Sequence, residues 1–315
     1  MAVGWAGPLL AAPVECELGR VCVVQNYVDH DPGRGARDYR CGFLTYDGHK
    51  GTDIRVIDAE ALRRGVAVVA AAPGRVRAVR DGMPDVNVRV VGKEAVAGRE
   101  AGNSVVIEHG DGWETQYGHM RSGSVAVRAG DAVTAGQKLG VVGLSGYTEF
   151  PHLHFEVRHR GKTVDPFVGQ ERAEPCGSGE RPLWVRPALD ALAYAATGLL
   201  GAGIASGPPS LEDGGLGGKS EALGSGSAAA VFWVQIYGAQ ANDLQEIRLI
   251  GPDGRLLAER QDRIARNRAQ WLAYVGLRRA GRDWSAGVYR GEYALYRGPR
   301  RERVMWIARE VRLLP

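Results

Sequence analysis

No stretch of the 315 residues approaches the ~20 consecutive apolar residues of a membrane-spanning helix. There is no polybasic block either. With a net charge of only +4, the chain lacks the electrostatic footprint of a nucleic-acid-binding protein. That mild charge still suits an anionic polymer such as a cell wall. Lysine is scarce, five of the 40 basic residues, a skew that reflects a GC-rich bacterial genome rather than chemistry. Cysteine is scarcer: Cys16, Cys22, Cys41 and Cys176, with no C-x2-C pair, which argues against a structural zinc finger. An even count beside turn residues fits disulfides in an oxidising compartment, the alternative being four reduced thiols in a cytosolic protein. Cys16 and Cys22 flank "ELGRV", a short hairpin whose mouth could hold them opposite each other, which leaves Cys41 for Cys176. The start, "MAVGWAGPLLAAP", has no charged n-region and is short for a signal peptide, so it reads as a mature or trimmed terminus.

What is present is dense turn punctuation in the first half, among it "PGRG", "YDGHKG", "RDGMPD" and "EHGDGW". Short β-branched runs lie between the turns: Val66–Val69, Val86–Val91, Val105–Glu108, Gly140–Val142 and Phe155–Val157. This spacing predicts an all-β domain of short strands. One brief helix is expected over Asp58–Arg64, with Asp58 as its N-cap. The texture changes after "DPFVG". The first domain is placed at 1–172 and a polar linker at 173–187, with the second domain at 188–315 and its first part, 188–228, left as helix, strand or connector. From 229 onwards six or seven alternating strands, with a hairpin around Gly251–Gly254, predict an immunoglobulin-like β-sandwich whose aromatics mostly form its core.

Chemistry concentrates in three places. In "FPHLHFEVRHRG", His152 and His154 sit two apart, and residues i and i+2 of a strand share a face about 6.5–7 Å apart. Both can hold one metal, or one binds the metal while the other faces its neighbour; spacing alone leaves this open. In "YDGHKGTDIRV", His49 and Asp53 are four apart, about 13 Å on a straight strand, unless Gly48 and Gly51 let the chain fold back. In "WETQYGHMRSGS", His119 follows an alternating run beside Gly118. His49, Asp53 and one of the H-x-H pair count to three protein ligands, and catalytic zinc sites keep three plus an open position for water. The two remaining histidines can then serve as general acid/base or oxyanion donors.

H-x-x-x-D, a later Y-G-H and a final P-H-L-H-F-E resemble the lysostaphin-type (LytM-like) zinc metallopeptidases, peptidoglycan endopeptidases of bacterial cell walls. The resemblance covers about residues 40–168, including "GNSVVIEHGDGWETQYGHM", "VRAGDAVTAGQKLGVVGLSG" and "VDPF". It implies a compact antiparallel β-sheet with a groove over one Zn²⁺ per chain. It implies His49, Asp53 and His154 as ligands, and His119 and His152 as the catalytic pair. Some members have lost ligands and activate other wall hydrolases instead; here all five positions are occupied.

The readings in play are therefore an exported, periplasmic and monomeric wall endopeptidase, a peptidase-like regulator docking on another cell-envelope protein through the second domain, and a peptidase acting on proteins. A D-alanyl–diaminopimelate cross-link is expected ahead of a polyglycine bridge. The stretch 81–102 departs from the compact family core as an extended hairpin or loop near the groove, the alternative being a solvated turn. Asn103 reads as a turn residue that begins a strand, the alternative being an approach to the metal. His109 reads as structural, and His30, between Asp29 and Asp31, as part of an Asx-type turn rather than a second metal site.

Overall fold

A computed structural model of the chain describes residues 7–172, 174–177, 179, 181–207, 222–281 and 283–314. The chain divides into two compact units, Met1–Ala195 and Ala196–Pro315. Of the Gly-, Ser- and Pro-rich stretch 201–228, residues 208–221 lie outside the described set.

The first unit is all-β with short helical turns. A small sheet joins β1 (Val14–Glu15), β4 (Ala67–Val69) and β9 (Lys138–Val141). The main sheet holds β2 (Cys22–Asn26), β3 (Thr52–Val56), β5 (Gly74–Arg80), β6 (Asn103–Gly110), β7 (Trp113–Met120), β8 (Ala132–Val133), β10 (His152–His159), β11 (Lys162–Asp165) and β12 (Gln170–Glu171). All of its pairings are antiparallel. Strand β10 is central: β3 borders the first half of one edge and β11 the second, while β7 runs along the other edge. Its sequence explains its orientation. Leu153, Phe155 and Val157 are fully or almost fully buried and form one face, with Phe155 packed on Tyr117 and Trp184. The period of two then turns His152, His154 and Glu156 to the opposite face.

Helix α1 (Ala59–Arg64) forms where expected, its Asp58 cap accepting from Ala61 N–H at 2.6 Å. The run Val86–Val91 does not form the strand that its β-branched residues suggest. It contains instead a single helical turn, α2 (Val88–Val91), capped by Asn87. Tertiary hydrogen bonds override propensity here: Val88 N–H donates to Thr148 O, and Asn87 Nδ2 donates to Glu149 O. The stretch 81–102 is thus a loop rather than a hairpin, containing α2 and a 3-10 turn (Glu94–Val96) and bonded to the loop before β10 rather than free in solvent.

Two carboxylates organise the connection between β2 and β3. Asp29 accepts from the amides of Asp31, Arg37 and Gly48, and Asp38 from those of Arg40, Gly42 and Leu44. The disulfides Cys16–Cys22 and Cys41–Cys176 both form, and the second staples this connection to the segment after β12. His30 is sealed against the same segment, with Nε2 3.1 Å from Asp165 and Nδ1 2.9 Å from Glu174 O. It is a structural group, as is His109, held between Pro73 O and Thr115 Oγ1.

The expected linker at 173–187 lies before the division between the units. Leu10 bridges Trp184, which packs on Phe155 and Phe167. Helix α3 (Arg186–Ala191) follows. Tyr194 then stacks on Tyr27 and donates to Asp38. Aromatic packing therefore extends the first unit to Ala195, where a polar, Pro-containing composition had suggested an earlier boundary.

The second unit is a β-sandwich. One sheet has the order β13 (Gly198–Ala205), β14 (Ala229–Ala239), β17 (Arg268–Arg278). The other runs β16 (Leu256–Arg263), β15 (Leu244–Ile250), β18 (Gly287–Arg297), β19 (Glu302–Leu313). Phe232, Ile236, Ile247, Tyr289, Tyr293 and Leu295 from both sheets meet in one core. Tyr274 and Trp306 stay on outer faces, about half exposed.

Opening the 135-residue Cys41–Cys176 separation by a double Cys→Ser change should cost about 2–4 kcal/mol in urea unfolding. Burial works to lower the His30 pKa, but the Asp165 carboxylate outweighs it and the net shift is upward. A raised folded pKa means the folded state binds more protons. This contribution is therefore full below about pH 6.5 and is lost as pH rises through the folded value. The stability difference between wild type and His30→Gln should shrink as pH rises, measured by unfolding at several pH values.

Candidate active site

The register of three strands assembles the site. His154 lies opposite Asp53 on β3 and opposite Gly118 on β7, and His152 lies opposite Arg55. His49 comes in from the turn before β3, where Gly48 has φ +79° and folds the chain back. The 13 Å of a straight strand is thereby removed. His49 Nε2 is 3.1 Å from Asp53 Oδ1, His154 Nδ1 is 2.8 Å from the same oxygen, and the two imidazole nitrogens are 3.3 Å apart. The other Asp53 oxygen accepts from Asn26 Nδ2 at 2.9 Å. His49 Nδ1 is 2.7 Å from Tyr27 O, so it carries the proton and Nε2 turns a lone pair to the centre.

His119 and His152 stand beside this group, their rings 4.6 Å apart. His119 sits at the end of β7 with φ +58°, a left-handed conformation uncommon outside glycine. Its N–H donates to Ala101 O, and its Nδ1 is 2.7 Å from Ser145 O. His152 Nδ1 is 2.9 Å from Phe150 O, with Thr148 Oγ1 3.1 Å away. Each ring is thus held by a backbone carbonyl at Nδ1, which leaves Nε2 as the unprotonated nitrogen of the neutral form. His49, Asp53 and His154 form one group able to hold a metal ion, and His119, His152 and His154 form another. His154 belongs to both.

Electrostatics follow from burial. Burial alone would raise the Asp53 pKa, yet His49 and His152 outweigh it and hold the carboxyl well below its ordinary range. Burial works to lower His49, and Asp53 reverses the net direction. Burial and then the charges of His152 and His154 push His119 well below the ordinary imidazole value, so it stays neutral.

Sequence reasoning had passed over several participants. Tyr46 packs on His49 with ring centroids 4.4 Å apart and the planes tilted by 30°. Burial, then the nearby Asp53 charge, pushes its hydroxyl above the ordinary phenol range, which keeps it an O–H donor. Arg55 is fully buried, donates to Gln25 Oε1 and lies 4.4 Å from the Phe150 ring centroid. Burial brings its pKa down to about 9. Only the period of two in "TDIRV", which puts Arg55 on the face of Asp53, could have signalled it. Asn103 begins β6, but its side chain is spent on Met83 and Met120 backbone groups rather than on the site.

Residues 47–166 match the model of peptidase family M23. This part of the chain, 120 of the 315 residues, is similar to that family. The cell division protein DipM of Caulobacter vibrioides is 30% identical over 164 residues, which cover 50% of this chain and 22% of that protein. The murein hydrolase activator NlpD of Escherichia coli is 35% identical over 119 residues, covering 38% and 25%. The peptidoglycan DD-endopeptidase ShyA of Vibrio cholerae is 42% identical over 65 residues, covering 21% and 15%. The matched part spans no more than about a quarter of the length of these relatives. Among solved structures, the catalytic domain of the M23 protein EnpA from Enterococcus faecalis is 26% identical, with a TM-score of 0.33, covering 47% of this chain and 91% of that one.

A Cβ built on Gly51 would lie 2.7 Å from two His154 ring atoms and 2.8 Å from Phe155 O, whereas one on Gly48 meets nothing. Gly51→Ala should therefore cost about 1–3 kcal/mol through overpacking. Gly48→Ala should cost roughly 1–2 kcal/mol through its left-handed backbone alone. Urea unfolding measures both, and only Gly51→Ala should displace His154 resonances in NMR spectra.

Proposed function

We propose that the first unit is a zinc-dependent endopeptidase that hydrolyses peptide cross-links of bacterial peptidoglycan. His49, Asp53 and His154 would hold the ion, and His119 and His152 would form the catalytic pair. One observation carries this reading. Three electron-pair donors lie 2.8–3.3 Å apart beside two carbonyl-held histidines. Two imidazoles and a carboxylate suit zinc, and three protein ligands leave a position open. The ion, when bound, supplies an acidified water and polarises the scissile carbonyl.

The chain's own residues do the rest. Asn26 fixes one Asp53 oxygen, which leaves the other directed at the two histidines. Tyr27 O fixes the His49 tautomer. The Nε2 atoms of His119 and His152, turned away from the carbonyls that hold each Nδ1, can accept a proton from the attacking water and return it to the leaving amine. Tyr46 offers a protonated phenol beside His49 for the oxygen that gains charge. All of these groups come from one chain, so the site requires no second copy.

The second reading is a regulator that activates another wall hydrolase, docking through the β-sandwich on a cell-envelope partner. It is favoured by the relatives named murein hydrolase activators. The two disulfides support export to the periplasm under either reading.

Zinc analysis of the purified chain, run with digestion of isolated sacculi, separates the readings. One zinc per chain and chelator-sensitive release of muropeptides are expected. Zinc-free, folded protein that only stimulates a second hydrolase would establish the regulator. His49→Ala or His154→Ala should lose metal and activity together. His119→Ala or His152→Ala should keep most of the metal and slow turnover about 10²–10⁴-fold. Loss of metal from His119→Ala would overturn its assignment to the catalytic pair.

A further inference from the structure

A pocket of about 330 Å³ is lined by Lys93, Glu94, Ala97, Glu100 and Tyr147. Four of these residues belong to the stretch 81–102, and Tyr147 belongs to the loop before β10. That loop carries the groups that orient the catalytic pair. Ser145 O holds His119, and Phe150 O with Thr148 Oγ1 holds His152. Tyr147 lies between Ser145 and Thr148 in sequence, and its N–H donates to Glu100 O, next to the Ala101 carbonyl that accepts from His119. The pocket therefore adjoins the candidate active site.

The pocket is held in place. Tyr147 N–H donates to Glu100 O, Val88 N–H to Thr148 O and His119 N–H to Ala101 O, at 2.8–3.0 Å. A Cβ built on Gly146 would lie 2.4 Å from both Glu100 O and Gly102 N, so the two segments meet backbone to backbone. Such a seam fixes Tyr147 against Lys93 and the two glutamates.

The lining is chemically mixed. The Lys93 ammonium lies 5.8 Å from the Tyr147 ring centroid. Tyr147 is 42% exposed. Among the described residues neither Lys93 nor Glu94 forms an ion pair. One cation, two carboxylates and an aromatic face complement a ligand that carries a carboxylate and an ammonium on the same carbon. The carboxylate would meet Lys93, and the ammonium would meet Glu94, Glu100 and the face of Tyr147.

We propose that this pocket is a subsite for a zwitterionic side-chain end, as on a diamino diacid residue of a wall stem peptide. The proposal rests on the endopeptidase reading for its substrate class. It makes the stretch 81–102 a specificity element that reads the free diamino diacid of the donor stem peptide, one residue before the cleaved bond, since the acceptor's side-chain amine is held in that bond. Exposed charges contribute modestly, so each recognised charge is expected to change the dissociation constant by about two- to fivefold.

The test is calorimetric titration of the full chain with an un-cross-linked stem tetrapeptide containing diaminopimelate, which offers no cross-link to cleave. Two further peptides carry an acetylated side-chain amine or an amidated side-chain carboxylate. Wild type should bind the free peptide about two- to fivefold more tightly than either capped form. Lys93→Gln should abolish the penalty for amidation and retain that for acetylation. Glu94→Gln with Glu100→Gln should do the reverse. Equal binding of the three peptides, absence of binding, or penalties unchanged in the variants would overturn the subsite. Sacculus digestion by wild type is read separately. Discrimination without digestion sinks the endopeptidase reading alone, and digestion without discrimination sinks the subsite alone.

Discussion

The Asp53 carboxylate is almost fully buried on a central strand, and the arrangement of the first unit follows from what that burial demands. A carboxylate out of water must be met by hydrogen-bond donors or positive charge. Asn26 supplies one donor from β2, while His49, His152 and His154 approach the other oxygen from the turn before β3 and from β10. These groups belong to three adjacent, hydrogen-bonded segments, and their register must hold before any of them can reach the same oxygen. A slip of one residue in β10 would exchange the histidines for Leu153 and Phe155 and place imidazoles in the core.

Orientation beyond the carboxylate comes from backbone carbonyls. Tyr27, Ser145 and Phe150 each hold one Nδ1, and each lies on a segment fixed by something else. Tyr27 belongs to an aromatic cluster with Tyr39, Phe167 and Tyr194. The Cys41–Cys176 disulfide and the His30–Asp165 pair close the connection that follows it. Ser145 is tied through its hydroxyl to Met120 O and Asn103 N–H. The histidines are thereby set by structure reaching well beyond the matched family segment 47–166, which gives residues near 27 and 194 a part in the same site.

The two units use aromatic residues differently. In the first, Tyr27, Phe155, Phe167 and Trp184 pack beneath the face that carries the site, and their demand for burial draws residues 181–195 into the unit. In the second, Phe232, Tyr289 and Tyr293 fill the space between two sheets, while Tyr274 and Trp306 stand about half exposed on outer faces. Composition by itself did not distinguish these roles, because a period of two assigns a residue to a face but does not say which face is covered.

Much of the chemistry was legible in the chain. Two histidines two apart in an otherwise apolar strand must share a face, and Gly48 and Gly51 around His49 announced the turn that shortens the path to Asp53. The pairing of Cys16 with Cys22 followed from their nearness in sequence, and the helix at α1 from its Asp58 cap. Four things needed the folded structure. The helical turn at Val88–Val91 depends on bonds to Thr148 and Glu149, about sixty residues away, which outweigh β-branched propensity. The boundary at Ala195 depends on packing partners from the start of the chain. Tyr46 and Arg55 join the site through a ring contact and a strand register that no motif records. Local sequence determines period, caps and turns because their energies act within a few residues, whereas the assembly of Asp53, His119 and His154 rests on pairings between strands far apart in the chain, which only the tertiary fold can decide.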